Sequence, residues 1–131
     1  MNVAPSGLRY SAAHLWARLE ADGTVTVGIT EFAQHQLGEL QYVGLPRAGS
    51  VVKRDASLGE VESTKTVSDL SAPCSGRVVA INEKIVNEPA LVNADPYGAG
   101  WVARIEPVDR SELDGLLDEG AYADLAAQQS H

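Results

Sequence analysis

One primary amine in this sequence is placed where it could be modified covalently. Lys65 lies among short polar residues between two alternating segments, 58–62 and 66–70, so it is predicted to stand at the tip of a β-hairpin. An amine on an exposed, rigid turn can be enclosed by an enzyme and acylated once it has lost its proton, because an ammonium group has no lone pair. Glu62 and Asp69 flank the lysine and favour its ammonium form, so we expect deprotonation inside the site of the modifying enzyme.

The composition predicts an acidic, globular protein. The 131 residues are 44% hydrophobic, which supports a packed core and a single domain spanning residues 1–131. The formal net charge of −8 leaves no basic surplus for a phosphate backbone, so we expect no nucleic-acid partner. No apolar run is long enough to cross a bilayer, so we expect no membrane partner. The acidic charge suits docking on basic partner surfaces.

The other reactive side chains give no recognisable site. Cys74 is the only cysteine, and we expect it to be a small buried hydrophobe. His14, His35 and His131 lack the spacing of metal ligands, so no metal site is predicted. We expect the ring of His14 to be satisfied within a strand. No nucleophile elbow or phosphate-binding loop is present, so no catalytic residues are predicted.

Hydrophobic periodicity predicts a mainly β chain. The predicted strands are 10–19, 24–29, 40–45, 51–52, 58–62, 66–70, 76–81 and 101–105, with Trp16 and Trp101 as core aromatics. Residues 82–100 are rich in Asn, Pro, Asp and Gly, which predicts a long loop.

Two helical segments are expected. Thr30 is a suitable N-cap for a short helix over residues 31–37, with Gly38 just past its end. In this helix Phe32, Ala33 and Leu37 should face the core, and Gln34, His35 and Gln36 mostly face water. An apolar stripe predicts a C-terminal helical segment at about 109–127, and the chain is expected to fray over 126–131.

The residues around Lys65 resemble those of one protein family. Glu62-Ser63-Thr64-Lys65, followed by Val67-Ser68-Asp69-Leu70, Ala72-Pro73 and Ser75-Gly76, closely resembles the lipoyl-lysine segment of the glycine cleavage system H protein. Residues 23–30 with Ala33-Gln34 and Leu37-Gly38 are similar to that family's amino-terminal half. Its carboxyl-terminal half is similar to Leu91-Val92-Asn93, Asp95-Pro96-Tyr97-Gly98 and Gly100-Trp101. The resemblance runs from about Leu8 to Leu125.

This resemblance implies a barrel-sandwich hybrid fold and a non-catalytic carrier with lipoic acid in amide linkage to Lys65. The lipoyl group would take the aminomethyl group of glycine from a pyridoxal-phosphate decarboxylase to a tetrahydrofolate-dependent aminomethyltransferase. Dihydrolipoamide dehydrogenase would reoxidise it, and a lipoate ligase or a lipoyl or octanoyl transferase would attach it. The resemblance assigns Glu62 and Asp69 to recognition and to the cleft beside the arm. It also implies the cytoplasm of a bacterium or the mitochondrial matrix of a eukaryote, and the residues from Met1 to Pro5 lack a secretion signal.

The sequence departs from the family pattern near its first strand. The family usually has His-Glu-Trp where this chain has His14-Leu15-Trp16. In the family the glutamate helps to line the cleft that shelters the loaded arm, and a carboxylate there would stabilise an aminomethyl cation. Leu15 cannot supply that charge, although Asp69 still can. We hypothesise that this chain protects the loaded arm less well than a glutamate-bearing relative.

Other functions remain open at the level of sequence. The chain could relay lipoyl groups to other enzymes, or could be the lipoyl domain of a 2-oxoacid dehydrogenase. A biotin carrier would have a Met-Lys-Met tip, whereas the tip here is Ser63-Thr64-Lys65-Thr66. An unmodified structural domain is the last alternative, and the mass of the native chain would distinguish it from the carriers.

Overall fold

The computed structural model describes residues 3–129, which form two antiparallel sheets and five helices. The strands are β1 (Arg9–Tyr10), β2 (Leu15–Leu19), β3 (Val25–Ile29), β4 (Leu40–Gly44), β5 (Val51–Val52), β6 (Ser57–Ser63), β7 (Val67–Ser71), β8 (Gly76–Ile81) and β9 (Ala103–Pro107). The helices are α1 (Glu31–Leu37), α2 (Glu83–Asn87), α3 (Ala90–Ala94), α4 (Ser111–Asp114) and α5 (Glu119–Gln129). The predicted mainly β, barrel-sandwich hybrid fold with a short internal helix and a C-terminal helical segment is confirmed.

Both sheets contribute to one main core. The six-stranded sheet has the order β1-β2-β3-β9-β8-β5, and the three-stranded sheet has the order β4-β6-β7. Val27 and Ile105 from the first sheet and Leu58 and Val61 from the second are fully buried in the same cluster. Burial of such side chains contributes roughly 1.5–3 kcal/mol each, so the β6–β7 hairpin, where the sequence predicted it, is anchored by its inward-facing residues.

The predicted strand over residues 10–19 is interrupted. β1 ends at Tyr10 and β2 begins at Leu15, and His14 between them has a φ of 68°. Backbone in this left-handed region cannot continue a strand, and the turn is closed by the bond from His14 N to Ser11 O (3.1 Å). The prediction that His14 lies in a strand is therefore wrong, because the chain reverses there.

Helix α1 has the predicted bounds and both predicted caps. The Thr30 hydroxyl accepts a hydrogen bond from Ala33 N (3.2 Å), which satisfies one free amide of the first turn. Gly38 ends the helix at a φ of 81°, and its N–H donates to Gln34 O. Ala33 and Leu37 pack against the core as predicted, whereas Phe32 does not belong to that cluster.

Residues 82–100 are not the predicted long loop, because they contain α2 and α3. Asn82 begins α2 by accepting a hydrogen bond from Lys84 N (3.2 Å), and its amide donates to Ala99 O and Trp101 O (2.8 Å each). Ile85 and Val92 are completely buried. Each helix has only five residues, so the apolar periodicity is too short to recognise against a background of Asn, Pro and Gly.

The predicted C-terminal helical segment consists of two helices. α4 and α5 are separated at residues 115–118, and α5 extends to Gln129, so the expected fraying does not occur over residues 126–129. Ser130, His131, Met1 and Asn2 lie outside the described residues. The last strand begins at Ala103 rather than 101, which leaves Trp101 half-buried. It packs against a smaller apolar cluster of Leu8, Tyr10, Trp16 and Tyr122, in which Trp16 is fully buried as predicted.

Candidate functional site

The turn that carries Lys65 is closed by two local hydrogen bonds. Ser63 N donates to Thr66 O (2.9 Å) across the hairpin. The Ser63 hydroxyl accepts a bond from Lys65 N (3.2 Å), in the manner of a serine that fixes a turn through its own side chain. Ser63 itself is buried, while residues 64–67 are exposed. The hairpin tip therefore has a defined backbone and a solvent-accessible lysine.

The Lys65 amine is free of the contacts that would prevent modification. Its side chain is exposed, and among residues 3–129 no carboxylate lies within 4.0 Å of its nitrogen. Its stem runs beside Gly38, where the Cβ of any larger residue would stand 3.1 Å from Lys65 Cε. The glycine thus leaves room for the lysine stem at the C-terminal end of α1.

A cavity of about 280 Å³ lies along α1, next to this end. We call it the arm cleft. Its apolar walls come from Leu15, Ile29, Phe32, Leu37 and Leu70, and its polar lining comes from His14, Gln36, Ser68, Asp69 and Gln129. Leu37, which lines the cleft, directly precedes Gly38, which lies against the Lys65 stem, so the cleft and the stem share the C-terminal end of α1. An aliphatic chain extending from the lysine nitrogen would have an apolar surface to lie on.

The two predicted flanking carboxylates both lie on the outer face of the three-stranded sheet, but only Asp69 also lines the arm cleft. Asp69 lines the arm cleft from β7. Glu62 is exposed on β6, opposite Tyr42 of β4 and Val67 of β7. Residues directly opposite each other in antiparallel strands share a face, so Glu62 lies on the solvent face of the three-stranded sheet. Asp69 is therefore suited to contact an arm in the cleft, and Glu62 to contact a protein at the tip.

The N-terminal end of α1 is held by helix α5 through Tyr122. The Tyr122 hydroxyl lies 2.7 Å from Thr30 Oγ1 and 2.8 Å from His14 Nδ1, and His14 Nε2 lies 2.6 Å from Gln129 Oε1. The Tyr122 ring stacks on Tyr10 at 4.5 Å between centroids. We call these five residues the clasp. The predicted satisfied ring of His14 is confirmed, and the clasp fixes one end of the cleft wall.

Burial changes the acidity of several groups outside the tip. It raises the pKa values of Tyr10 and Tyr122 to about 12. Burial, with a smaller contribution from the nearby Glu112, raises the pKa of Cys74 to about 11. Cys74 is completely buried, as predicted, so its thiol is protonated at neutral pH and is a poor nucleophile.

The described residues contain neither a membrane-spanning helix nor a cluster of metal ligands. Within residues 3–129, no helix has the length and apolar character needed to cross a membrane. The same part of the chain contains no group of three or more His, Cys, Asp or Glu side chains arranged to hold a metal ion.

Comparison with known proteins identifies the family. The model of the glycine cleavage H-protein family matches residues 8–129. The chain belongs to this family. The glycine cleavage system H protein of Marinobacter nauticus is 47% identical over 98% of this chain and 99% of its own, and that of Halorhodospira halophila is 50% identical over the same shares. A crystal structure of a glycine cleavage system H protein from Mycobacterium marinum superimposes with a TM-score of 0.83 at 42% identity, covering 97% of this chain and 99% of that one.

Leu15 gives the arm cleft an apolar wall at the position where the family resemblance implies a glutamate. Leu15 is 2% exposed and lines the cleft together with Asp69. Asp69 is the only carboxylate among the described residues that line it. The location expected for Leu15 from the family resemblance therefore agrees with the geometry, and its consequence for the loaded arm stays a prediction.

The sequence did not assign all the residues that line the arm cleft to it. The helical pattern places Phe32 in the core, but its ring faces His14 at 4.8 Å between centroids and lines the cleft. Gln36 is exposed, as the same pattern predicts, and it also lines the cleft one turn after Phe32. Gln34, which was likewise placed in water, is instead half-buried and accepts a hydrogen bond from Asn93. The spacing of Phe32 and Gln36 could have indicated a shared face. Gln129 gave no usable signal, because it reaches the cleft from the end of the chain.

Proposed function

We propose that this chain carries the aminomethyl group of glycine from the decarboxylase to the aminomethyltransferase of the glycine cleavage system, on a lipoyl group joined to Lys65. The family match makes the chain a carrier component of that system. The observation that carries the assignment to Lys65 is its exposed amine, without an ion pair among the described residues, on a closed turn beside an apolar cleft. No residue of the chain is proposed to be catalytic.

The residues near Lys65 fit a lipoyl group. An amide at the lysine nitrogen would begin beside Gly38, and Leu15, Leu37 and Leu70 offer apolar surface for an aliphatic chain and a sulfur ring. When attached, the lipoyl group supplies a disulfide that is opened to take up the one-carbon unit and is later re-formed. The protein exposes the attachment nitrogen, provides Asp69 as an acceptor for a cationic amine, and limits the access of water.

Tethering explains why a separate carrier is useful. A group on a covalent arm meets each enzyme at a high effective concentration and is not lost by diffusion. The solvent face of the three-stranded sheet suits docking, because Glu60, Glu62 and Asp69 surround the exposed side chains of Tyr42 and Val67. We propose the decarboxylase, the aminomethyltransferase, dihydrolipoamide dehydrogenase and a lipoate ligase or transferase as partners. The named relatives are bacterial, which supports the cytoplasm of a bacterial host as the compartment.

The test is the mass of the native chain with the modified peptide identified, followed by reconstitution with the purified decarboxylase and labelled glycine. We expect one lipoyl amide on the peptide that contains Lys65 and none on those that contain Lys53 or Lys84, which are also exposed. Only the lipoylated protein should support release of carbon dioxide. A native chain with an unmodified Lys65, or equal activity of both forms, would refute the proposal.

A further inference from the structure

A second cavity lies away from Lys65, at the other end of strand β2. Leu15 at the start of β2 lines the arm cleft, and Leu19 at its end lines a cavity of about 440 Å³ between the sheet and α4. The floor is apolar, with Ala17 and Val25 buried beneath and Leu113 contributed by α4. Leu19 is 57% exposed, so its side chain is not covered by the protein. The volume lies within the range of small-molecule sites.

Two arginines stand at the rim of this cavity. Arg9 comes from the edge strand β1, and Arg110 precedes α4. Neither makes an ion pair or a side-chain hydrogen bond with any residue of the described part of the chain. Arg54 and Arg77, in contrast, make ion pairs with neighbouring carboxylates. In a chain with a net charge of −8, two unpaired cations at one apolar cavity are a distinctive combination.

Arg110 lies against the β2–β3 turn, and its side chain is exposed to solvent. Its guanidinium lies so close to Gly23, in the β2–β3 turn, that there is no space for a side chain at that position. Ser111 and Asp114 complete the rim. The carboxylate of Asp114 is not within 4.0 Å of either arginine, so it does not neutralise them by contact, although it would repel an anion.

We propose that this cavity binds a small carboxylate with an aliphatic body, of the size of a medium-chain fatty acid. The carboxylate meets the guanidinium groups of Arg9 and Arg110, which are suited to bidentate recognition. The aliphatic body covers the exposed Leu19 and the half-buried Leu113, which removes apolar surface from water. This site is independent of the function proposed for Lys65.

The test uses sodium octanoate, titrated into the unmodified full-length protein and followed by methyl NMR. We expect saturable shifts at Leu19, Val25 and Leu113. Arg9→Gln and Arg110→Gln should each weaken binding about tenfold, the loss expected for a hydrogen bond to a charged group. Asp114→Asn should strengthen binding about threefold, because it removes a repulsive charge. Arg77→Gln, which removes the same charge from a distant ion pair, should leave the affinity unchanged.

Several results would overturn the proposal. Shifts confined to Leu15, Ile29 and Leu70 would place octanoate in the arm cleft. Equal binding of octan-1-ol would show that the arginines do not recognise the carboxylate. Unchanged affinity in a folded Arg9→Gln/Arg110→Gln protein, checked by circular dichroism, would lead to the same conclusion. Because Lys65 takes no part in these measurements, failure here would leave the carrier proposal intact.

Discussion

The polar side chains beside the two ends of helix α1 differ in how many hydrogen bonds and ion pairs they make. At the C-terminal end, the Lys65 stem passes Gly38, and its amine has no carboxylate partner among residues 3–129. At the N-terminal end, Tyr122 links Thr30 to His14 through two short hydrogen bonds. The arm cleft runs along the helix between these ends. Helix α1 therefore has the exposed Lys65 amine beside its C-terminal end and the hydrogen-bonded side chains of the clasp at its N-terminal end.

This difference separates the residues needed for modification from those needed for stability. A lysine with few contacts can enter the site of another enzyme at little cost in folding free energy. The clasp, whose centre at Thr30 and Tyr122 is buried, stabilises the docking of α5 through its hydrogen bonds. Substitutions at the tip should consequently affect modification alone, and substitutions in the clasp should affect stability alone.

The largest effect is expected at the tip. Lys65→Arg should abolish lipoylation, because a guanidinium cannot form the lipoyl amide, and the melting temperature should change by less than about 2 °C, since the side chain is exposed. Lys53→Arg is the matched control and should be modified normally. Incubation with a lipoylating enzyme followed by intact mass would measure both variants. A lipoylated Lys65→Arg protein would disprove the site.

Tyr122→Phe should lower the stability of the protein and leave its lipoylation unchanged. It removes a hydroxyl that satisfies both Thr30 Oγ1 and His14 Nδ1 in a buried setting, so we expect the free energy of unfolding to fall by about 2 kcal/mol. Tyr42→Phe, in which the ring is 47% exposed, should cost less than about 0.5 kcal/mol. Urea denaturation measures both values. If Tyr122→Phe instead slowed lipoylation without loss of stability, the two ends of α1 would not be separable.

Alkaline pH should weaken the clasp. The pKa values of Tyr10 and Tyr122 are about 12 in the folded protein and about 10 in an unfolded chain. The unfolded state thus loses these protons first, and the stability contributed by the neutral phenols is complete below pH 10 and is lost as the pH rises towards 12. The loss is at most about 1.4 kcal/mol per pH unit for each tyrosine.

Tyr10→Phe provides the control for this pH dependence. It removes one titrating group while keeping the stacked ring, so its stability should fall less between pH 9 and pH 11 than that of the wild type. The Cys74 thiol, with a pKa of about 11, contributes equally to both proteins. Equal slopes of unfolding free energy against pH in the two proteins would contradict a role for Tyr10.

Local patterns were sufficient to predict the tip and the bounds of α1. Thr30 and Gly38 mark the ends of the helix through their own chemistry, and alternation on both sides of Lys65 defines the hairpin. The tip requires only contacts between residues close in sequence. The sequence was misleading where the signal was short, as in α2 and α3, each of which is stabilised mainly by one buried side chain, Ile85 or Val92.

The cleft and the clasp could not be predicted by the same means. The cleft combines residues from β2, α1, β7 and the end of α5, and the bond between His14 and Gln129 spans 115 positions. Such contacts depend on how the two sheets and α5 come together, which periodicity does not encode. The family resemblance indicated that Leu15 and Asp69 line a cleft, whereas the roles of Phe32 and Gln129 follow only from the three-dimensional arrangement of α1 and α5.

Leu15→Glu would add a negative charge to the wall of the arm cleft, which lies between the two ends of helix α1. A carboxylate beside Ile29 and Leu70 should lower the stability of the unloaded protein by about 1–3 kcal/mol, because it is poorly solvated there. After loading with the aminomethyl group, it should slow the release of formaldehyde and ammonia about tenfold through a charge-assisted hydrogen bond. Leu15→Gln has a similar shape without the charge and should release the cargo as fast as the wild type. Identical release from all three proteins would refute the hypothesis.

The smallest effect is expected for Glu62→Ala, which examines whether the tip is recognised by charge as well as by shape. Glu62 is exposed and lies three residues before Lys65, so its loss should leave the melting temperature nearly unchanged. Removing one docking contact of about 1 kcal/mol should slow lipoylation about fivefold. Glu60→Ala makes the same charge change on the same face of β6, farther from the tip, and should have a smaller effect. If both variants were modified at the wild-type rate at low and at high salt, the enzyme would recognise the closed Ser63–Thr66 turn alone, and the acidic face would have to serve a different partner.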